Sequence, residues 1–194
     1  ILSGQLMNRG GIARRLIAFA KVMVGMFPGG LAFVNIMANM LFGSISGSAV
    51  ASSAAIGGFM VPMMKKEGYD LNYSAAVNIT AATTGLIIPP SNVLIVYSLA
   101  SGGVSIGALF VAGYLPGVLV GLSLMLIAGI IAYRKNYPIE PGYKFKEAAL
   151  KFLDALPSLF LIILVIGGIV AGYFTATEAS AVAVLYTFIL AVFI

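Results

Sequence analysis

The chain contains no cysteine and no histidine, and charged residues make up only 9% of it. Because cysteine is absent, thiols give no information on the redox compartment of the protein. Because histidine is absent, the chain lacks the commonest metal ligand and the side chain that most readily titrates near neutral pH. Any binding site in this chain must therefore use other groups as ligands.

Apolar residues make up 61% of the chain, and glycine occurs 23 times. This composition is typical of an integral membrane protein rather than of a soluble domain. Apolar runs of about twenty residues alternate with short basic loops, whereas a membrane barrel would show alternating strands of about ten residues. The sequence therefore predicts an all-α, polytopic membrane protein.

The two ends of the sequence suggest a part of a longer chain. The first residue is isoleucine rather than an initiator methionine, and no signal-peptide pattern follows it. The last residues, "YTFILAVFI", have the pattern of a membrane helix. We therefore expect the sequence to be a piece of a longer protein.

The eleven basic residues indicate how the chain crosses the membrane. They form three clusters: Arg9, Arg14, Arg15 and Lys21; Lys65 and Lys66; and Arg134, Lys135, Lys144, Lys146 and Lys151. Under the positive-inside rule each cluster is cytoplasmic, so an even number of crossings separates one cluster from the next. We predict crossings at about 71–100 and 105–133, a solvated basic loop at 134–153, and further crossings at about 155–173 and from 180 onward.

The chain between the first two clusters is too short for two ordinary crossings. Its apolar arms, 29–42 and 49–64, are joined at "GSISGS". At 1.5 Å per residue each arm reaches about 21 to 24 Å, which is less than a hydrocarbon core of about 30 Å. We predict a re-entrant helical hairpin at 29–66, whose tip lies near the membrane midplane and is surrounded by protein or a watery cavity.

The crossing at 71–100 is interrupted by "TTGLIIPPSN". Pro89 and Pro90 lack backbone donors and disfavour helix in the residues before them, while Gly85 loosens the preceding turn. We predict two half-helices at about 72–84 and 91–100. Their ends, with Ser91 and Asn92, are expected to face the hairpin tip.

Two interrupted helices that meet at mid-depth predict a binding site. Backbone carbonyls and hydroxyls would face a cation, and helix N-termini would face an anion. Between residues 23 and 64, and again between 71 and 133, there is no Asp, Glu, Lys or Arg, so no side chain there carries a proton at accessible pH. Oxygen ligands without a carboxylate favour a monovalent cation, and sodium is the natural candidate. An enzyme is the least favoured function, because Ser46 and Ser48 have no histidine, lysine or carboxylate near them at membrane depth to activate them.

Close helix packing is the alternative explanation for small and polar residues in a membrane. It stays open for "GSISGSAVASS", although two prolines flanked by Thr, Ser and Asn in the second segment are not required for packing. For "GVLVG" at 117–121 we expect packing. For Asn35, Asn39 and Asn78 we expect hydrogen bonds between helices rather than contacts to an ion.

Three segments in order carry a resemblance to a known family: "NIMANMLFGSISGSAVASSAAIGGFMVPMMKKEGYD", "AAVNITAATTGLIIPPSNVLIVYSLASGGVSIGALFVAGYLPG" and "GYFTATEASAVAVLY". They resemble the large membrane subunit of tripartite ATP-independent periplasmic transporters, over nearly the whole chain. The resemblance implies an elevator-type secondary transporter, in which a transport domain of hairpins and broken helices moves against a scaffold. It also implies a second, inverted repeat, which is not contained in residues 1–194 and which we expect in the rest of a longer protein.

The same resemblance implies a function and partners. Such a transporter imports organic acids, such as sialic acids or dicarboxylates, across the bacterial inner membrane and is driven by sodium. A periplasmic substrate-binding protein would deliver the acid, and a small four-helix membrane subunit would complete the complex. Sodium would be the coupling ion; no other cofactor and no nucleic-acid partner is expected.

The family's site residues can be placed on this sequence by the matching motifs. The sodium ligands would be Ser44, Ser46, Gly47, Ser48, Thr83, Thr84, Gly85 and Pro89. Ser48, Ser91 and Asn92 would contact the substrate. Residues 1–28 would hold the scaffold end and an amphipathic cytoplasmic arm helix, 29–66 and 71–100 would belong to the transport domain, and 155–194 would begin the second repeat. Glu178 would lie in the outside link "FTATEAS".

Two other functions stay open. One is a stand-alone sodium-coupled anion symporter with the same hairpin architecture, which would need no periplasmic binding protein. The other is a channel whose re-entrant segment lines a pore. A channel filter usually recurs by oligomeric symmetry, whereas two unlike broken segments suit an enclosed site.

Overall fold

The protein is described by a computed structural model over residues 10–139, 142–143 and 145–193, and the regular structure within these ranges is helical. A 3-10 turn, Thr83–Leu86, follows the fourth α-helix. The α-helices are α1 (Ile12–Val24), α2 (Gly30–Ser46), α3 (Ala49–Lys66), α4 (Leu71–Ala82), α5 (Asn92–Ala100), α6 (Ile106–Arg134), α7 (Phe145–Val170) and α8 (Ala176–Phe193).

Helix α1 is amphipathic, as the sequence predicts for the arm. Ile12, Leu16 and Ala20 repeat every four residues and are buried against its neighbours. On the other side of the helix, the Arg14 guanidinium lies 4.9 Å from the centre of an aromatic ring of α3, and Arg15 Nε lies 3.6 Å from Asp154 Oδ1 on α7. Helix α1 therefore contacts both the hairpin and α7. Residues 1–9 of the predicted scaffold end and arm (1–28) lie outside the described residues.

Helices α2 and α3 form the predicted hairpin and pack against each other, but their arms are longer than predicted. They contain 17 and 18 residues, or about 26 and 27 Å. The expected non-helical tip at "GSISGS" is wrong in its extent, because α2 continues through Ser46. Only Gly47 and Ser48 are non-helical: Gly47 has a left-handed φ of 61° and donates its N–H to Gly43 O, and Ser48 Oγ accepts from Ala51 N at 3.3 Å.

The second interruption follows the predicted pattern with shifted bounds. Helix α4 ends at Ala82, two residues earlier than predicted, and tightens into the 3-10 turn. Residues 87–91 are turn, bend and extended backbone, and α5 begins at Asn92. The interruption arises because the two prolines cannot donate to a helix and restrict the residues before them.

Two helices of the described chain are long and apolar enough to cross a membrane, α6 and residues Lys146–Val170 of α7. The predicted basic loop at 134–153 is wrong in its second half, because α7 already begins at Phe145. In "FKEAALKFL" the apolar positions repeat with helical spacing, and the Phe152 ring lies 5.6 Å from the Phe19 ring of α1. The last helix also begins earlier than predicted, at Ala176 rather than near 180.

The turn between α7 and α8 explains the motif "FTATEAS". Glu178 Oε2 accepts from the backbone N and from Oγ1 of Thr175, both at 2.8 Å, and Glu178 N donates to Thr175 Oγ1 at 3.3 Å. This is a reciprocal capping box at the start of α8. The Phe174 ring covers Gly168, where a Cβ would be only 2.2 Å from the ring. Glu178 therefore has a structural role in starting α8.

Helix α2 is the central element, because it packs against α1, α3, α4, α6 and α7. Helix α6 approaches this centre through the glycines of "GVLVG". A Cβ at Gly117 would lie 2.5 Å from Ile88 Cγ1, and one at Gly121 would lie 2.4 Å from Met40 Sδ. The prediction that these glycines serve close packing is confirmed.

Candidate ion and substrate site

The hairpin and the broken segment touch through two glycines. A Cβ built on Gly43 of α2 would lie 2.5 Å from Gly85 Cα, and a Cβ built on Gly85 would lie 2.5 Å from Gly43 Cα. Carbon atoms in ordinary contact are about 3.5 to 4.0 Å apart, so neither position has room for a side chain. The two backbones are therefore in direct contact just before the hairpin tip, at the turn in which the broken segment leaves its helix.

A second contact joins the tip to the start of α5. A Cβ at Gly47 would lie 3.2 Å from Asn92 Cγ and 3.2 Å from Pro90 O. Gly47 also has a positive φ, so its position requires glycine for conformation as well as for space. The hairpin thus contacts the broken segment both before its non-helical residues 87–91, at Gly85, and after them, at Asn92.

The hydroxyl groups of the predicted site donate their hydrogens mostly to nearby backbone carbonyls. The acceptors are Leu41 O for Ser44, Ser48 O for Ser46, Thr80 O for Thr83, Ala81 O for Thr84 and Leu86 O for Ser91. A hydroxyl that donates its hydrogen still has oxygen lone pairs that can face a cation. These hydrogen bonds therefore orient the hydroxyls without using up their capacity as ligands.

Burial separates the predicted residues into two groups. Ser44, Ser46, Thr84 and Ser91 are buried, as are the three site residues Gly47, Gly85 and Pro89. Ser48 is partly buried, while Thr83 and Asn92 are exposed. The Pro89 ring points to α6, where a Cβ at Gly113 would be 3.5 Å from Pro89 Cγ, so only the backbone of Pro89 is placed to face a ligand.

A cavity of about 290 Å³ adjoins the tip. The hairpin contributes Ser46 and Gly47 to its wall, and the broken segment contributes Pro90 and Asn92. The opposite wall comes from α7 and α8 and includes Leu161, Val165, Ala179, Ser180 and Ala183. None of the described residues that line the cavity is charged, and its size is close to that of small-molecule sites. Sequence reasoning missed this second wall, because apolar residues on a membrane helix look alike whether they face lipid or a cavity.

A buried amide network lies beside the glycine contact, on the side away from the hairpin tip. Asn39 Nδ2 donates to Asn35 Oδ1 at 2.7 Å and to Asn78 Oδ1 at 3.2 Å, and Asn39 Oδ1 accepts from Ser52 Oγ at 2.7 Å. Asn78 Nδ2 in turn donates to Ser53 Oγ at 3.0 Å. Asn35 Nδ2 donates to Met64 Sδ of α3 at 3.6 Å, so the prediction that these asparagines form interhelical hydrogen bonds is confirmed.

The chemistry available to this site is limited to binding. Among the described residues there is no group of three or more His, Cys, Asp or Glu that could hold a metal ion. The predicted ligands offer neutral hydroxyl, amide and carbonyl groups. Such a site can bind a weakly held cation and a neutral or anionic solute, but it contains no side chain that could act as a general acid or base.

Comparison with known proteins places the chain in a family. The model of the DctM component of the tripartite ATP-independent periplasmic transporter matches residues 1–194. The chain is 57% identical to the uncharacterized protein YgiK of Salmonella typhimurium, covering 98% of this chain and 44% of that protein. It is 44% identical to the C4-dicarboxylate TRAP transporter large permease protein DctM of Vibrio cholerae, covering 100% of this chain and 43% of the permease.

A third relative has another named substrate. The chain is 37% identical to the sialic acid TRAP transporter permease protein SiaT of Haemophilus influenzae, over 100% of this chain and 31% of SiaT. The chain thus spans less than half the length of each of these three curated relatives. It belongs to the DctM family of tripartite ATP-independent periplasmic transporters, a family of membrane transport permeases and not of enzymes.

Proposed function

We propose that the protein to which this chain belongs imports an organic acid by secondary active transport coupled to sodium. The observation that carries this proposal is the contact of Gly43 with Gly85, which brings two interrupted helices together without a charged side chain. Discontinuous helices that meet in this way form the substrate and ion sites of secondary transporters.

Sodium is the coupling ion that best fits the groups at the contact. Helices α2 and α4 end there, and the carbonyls at helix C-termini carry partial negative charge. Proton coupling is poorly supported, because the two segments contain no carboxylate or histidine that could carry the proton. The proposed ligands are those predicted from the sequence: Ser44, Ser46, Gly47, Ser48, Thr83, Thr84, Gly85 and Pro89.

The substrate is proposed to be a C4-dicarboxylate or a sialic acid, the classes in the names of DctM of Vibrio cholerae and SiaT of Haemophilus influenzae. Both are anions, and α3 and α5 begin at the contact, with their partial positive N-termini beside Ser48, Ser91 and Asn92. Asn92 and Ser46 both border the cavity beside the tip. The side-chain amide of Asn92 would meet a carboxylate as a hydrogen-bond donor, whereas the single hydrogen of the Ser46 hydroxyl is already donated to Ser48 O.

The assembly and its movement are proposed on the family relationship. A periplasmic binding protein would deliver the acid, a small membrane subunit would complete the complex, and the basic loops would face the cytoplasm of a bacterial inner membrane. Residues 29–66, as a re-entrant hairpin, and 71–100 would move as a transport domain in an elevator motion. Residues 1–28 and 155–194 would belong to the scaffold, with the inverted repeat in the remaining part of the protein.

The proposal is tested by uptake of labelled acids into proteoliposomes that contain the full-length protein, its small subunit and its binding protein. We expect uptake that requires both an inward sodium gradient and the binding protein. Sodium-dependent uptake without the binding protein would instead favour a stand-alone symporter. A current that does not saturate with substrate would favour a channel.

A further inference from the structure

We propose, on the basis of the proposed function, that Asn39 and Asn78 are positioning residues for the ion site. Their hydrogen bond fixes the register of α2 against α4, and thereby the position of the hairpin tip against the broken helix. The side-chain hydrogen bonds of the two residues go to Asn35, Ser52, Ser53 and each other rather than to the proposed ligand groups; each residue acts through the backbone that leads to Gly43 or Gly85.

The two residues lie on the same helix faces as the glycines. Asn39 precedes Gly43 by four residues on α2, and Asn78 precedes Gly85 by seven residues on α4 and the 3-10 turn, so each pair is aligned along its helix. The structure shows two contacts between these helices: Asn39 Nδ2 is 3.2 Å from Asn78 Oδ1, and Gly43 touches Gly85. The amide contact therefore lies one to two helical turns before the glycine contact, on the side away from the hairpin tip.

The glycine contact cannot by itself set the register of α2 against α4. It is a contact between backbone atoms without side chains, and dispersion forces between such atoms are weak and lack direction. A hydrogen bond requires both a short distance and a favourable angle, so a slip of α2 along α4 would break the amide contact first. The burial of both asparagines makes a broken contact costly, because water cannot replace it.

Helix α3 completes the arrangement and connects it to the tip. Ser52 Oγ donates to Asn39 Oδ1 at 2.7 Å and lies 3.7 Å from the Cβ that Gly43 would carry. Gly57 leaves room for the second amide, since a Cβ there would lie 2.4 Å from Asn78 Nδ2. Both arms of the hairpin and the first half of the broken helix therefore meet at one amide pair.

The test uses the full-length transporter complex in proteoliposomes and measures the sodium concentration that gives half-maximal uptake. We expect Asn39→Leu and Asn78→Leu each to raise this concentration about tenfold, since a lost hydrogen bond corresponds to up to a factor of that size. The double variant is expected to be clearly less affected than the product of the two single effects, because both changes break the Asn39–Asn78 bond and only the bonds to Asn35, Ser52 and Ser53 are lost separately. Leucine keeps the branched shape of asparagine without its hydrogen bonds.

Further measurements separate positioning from a general structural role. The substrate concentration for half-maximal uptake at saturating sodium should stay within about twofold of the wild type, since bound sodium restores the position of the tip against the broken helix and with it that of the substrate groups. Asn72→Leu makes the same change at an exposed position of α4 and should leave the sodium response unaltered. If the leucine variants do not fold, Ser52→Ala provides the test, because it removes only one hydroxyl from the network. It should raise the half-saturating sodium concentration about threefold.

The outcomes distinguish this inference from the function on which it rests. If the wild type depends on sodium but the folded variants change only the maximal rate or the melting temperature, the positioning role is wrong and the proposed function stands. Strictly additive effects in the double variant would equally contradict a direct coupling of Asn39 and Asn78. Wild-type uptake that ignores sodium would overturn the proposed function, and the positioning role with it.

Discussion

Replacing Gly43 by alanine should separate the hairpin from the broken helix. The new Cβ would lie 2.5 Å from Gly85 Cα and 3.1 Å from Gly85 N, both of which are backbone atoms that cannot rotate away. An ordinary carbon contact requires the two backbones to move apart by about 1 Å. Overpacking of this kind costs roughly 1–3 kcal/mol, whereas alanine gains about 1 kcal/mol over glycine in helix propensity.

Gly58 provides the matched control on the other arm of the hairpin. It lies inside α3, and a Cβ there would meet nothing within 4 Å. Gly58→Ala should therefore keep the gain in propensity and melt at the wild-type temperature or above it, while Gly43→Ala should be less stable than Gly58→Ala by roughly 1–3 kcal/mol. Thermal unfolding of both full-length variants in detergent measures this difference.

The same two variants test the ion site through sodium-dependent uptake. A tip displaced by about 1 Å no longer places its oxygen atoms within reach of an ion at the break, so Gly43→Ala should require at least tenfold more sodium for half-maximal uptake. Gly58→Ala should match the wild type. Equal stability and equal sodium response in the two alanine variants would refute the reasoning, because it would mean that Gly43 and Gly85 are not in contact in the working transporter.

Three further predictions concern single side chains. Ser46→Ala and Thr84→Ala should each weaken the sodium dependence of uptake more than they lower the melting temperature, because each removes one oxygen from the proposed site. Arg14→Ala should leave the sodium response unchanged, since this guanidinium lies over an aromatic ring of α3, and a stability loss of about 0.5–1 kcal/mol is expected.

A pH prediction follows from the capping box at the start of α8. Hydrogen bonds from Thr175 hold the pKa of the Glu178 carboxyl below its usual value. The stability from this lowered pKa is present above the unfolded-state pKa and is lost as pH falls through the folded-state value. The melting-temperature difference between the wild type and Glu178→Gln should therefore shrink on acidification; a difference independent of pH would contradict this role.

The interruptions of the helices could be predicted because their causes are local. The prolines at 89 and 90 restrict the backbone wherever they occur, and the tip turns at Gly47, which adopts a left-handed conformation. The amide network was also accessible to sequence reasoning, because an asparagine inside an apolar helix requires a partner. The length of α2 was predicted less well, because Ser44 and Ser46 resemble turn residues but remain helical by bonding to nearby carbonyls.

The sequence by itself determined the class of the protein, the places where its membrane segments break, and the absence of charge between residues 23 and 64 and between 71 and 133. These properties depend on composition and on the backbone preferences of single residues. Only the tertiary structure decided which glycines touch another backbone: Gly43 meets Gly85, whereas Gly58, a residue of the same type in the same hairpin, meets nothing. The wall of the cavity from α7 and α8 was likewise decided by packing. The physical reason is that a contact depends on two positions distant in sequence, and neither position carries a local sign of its partner.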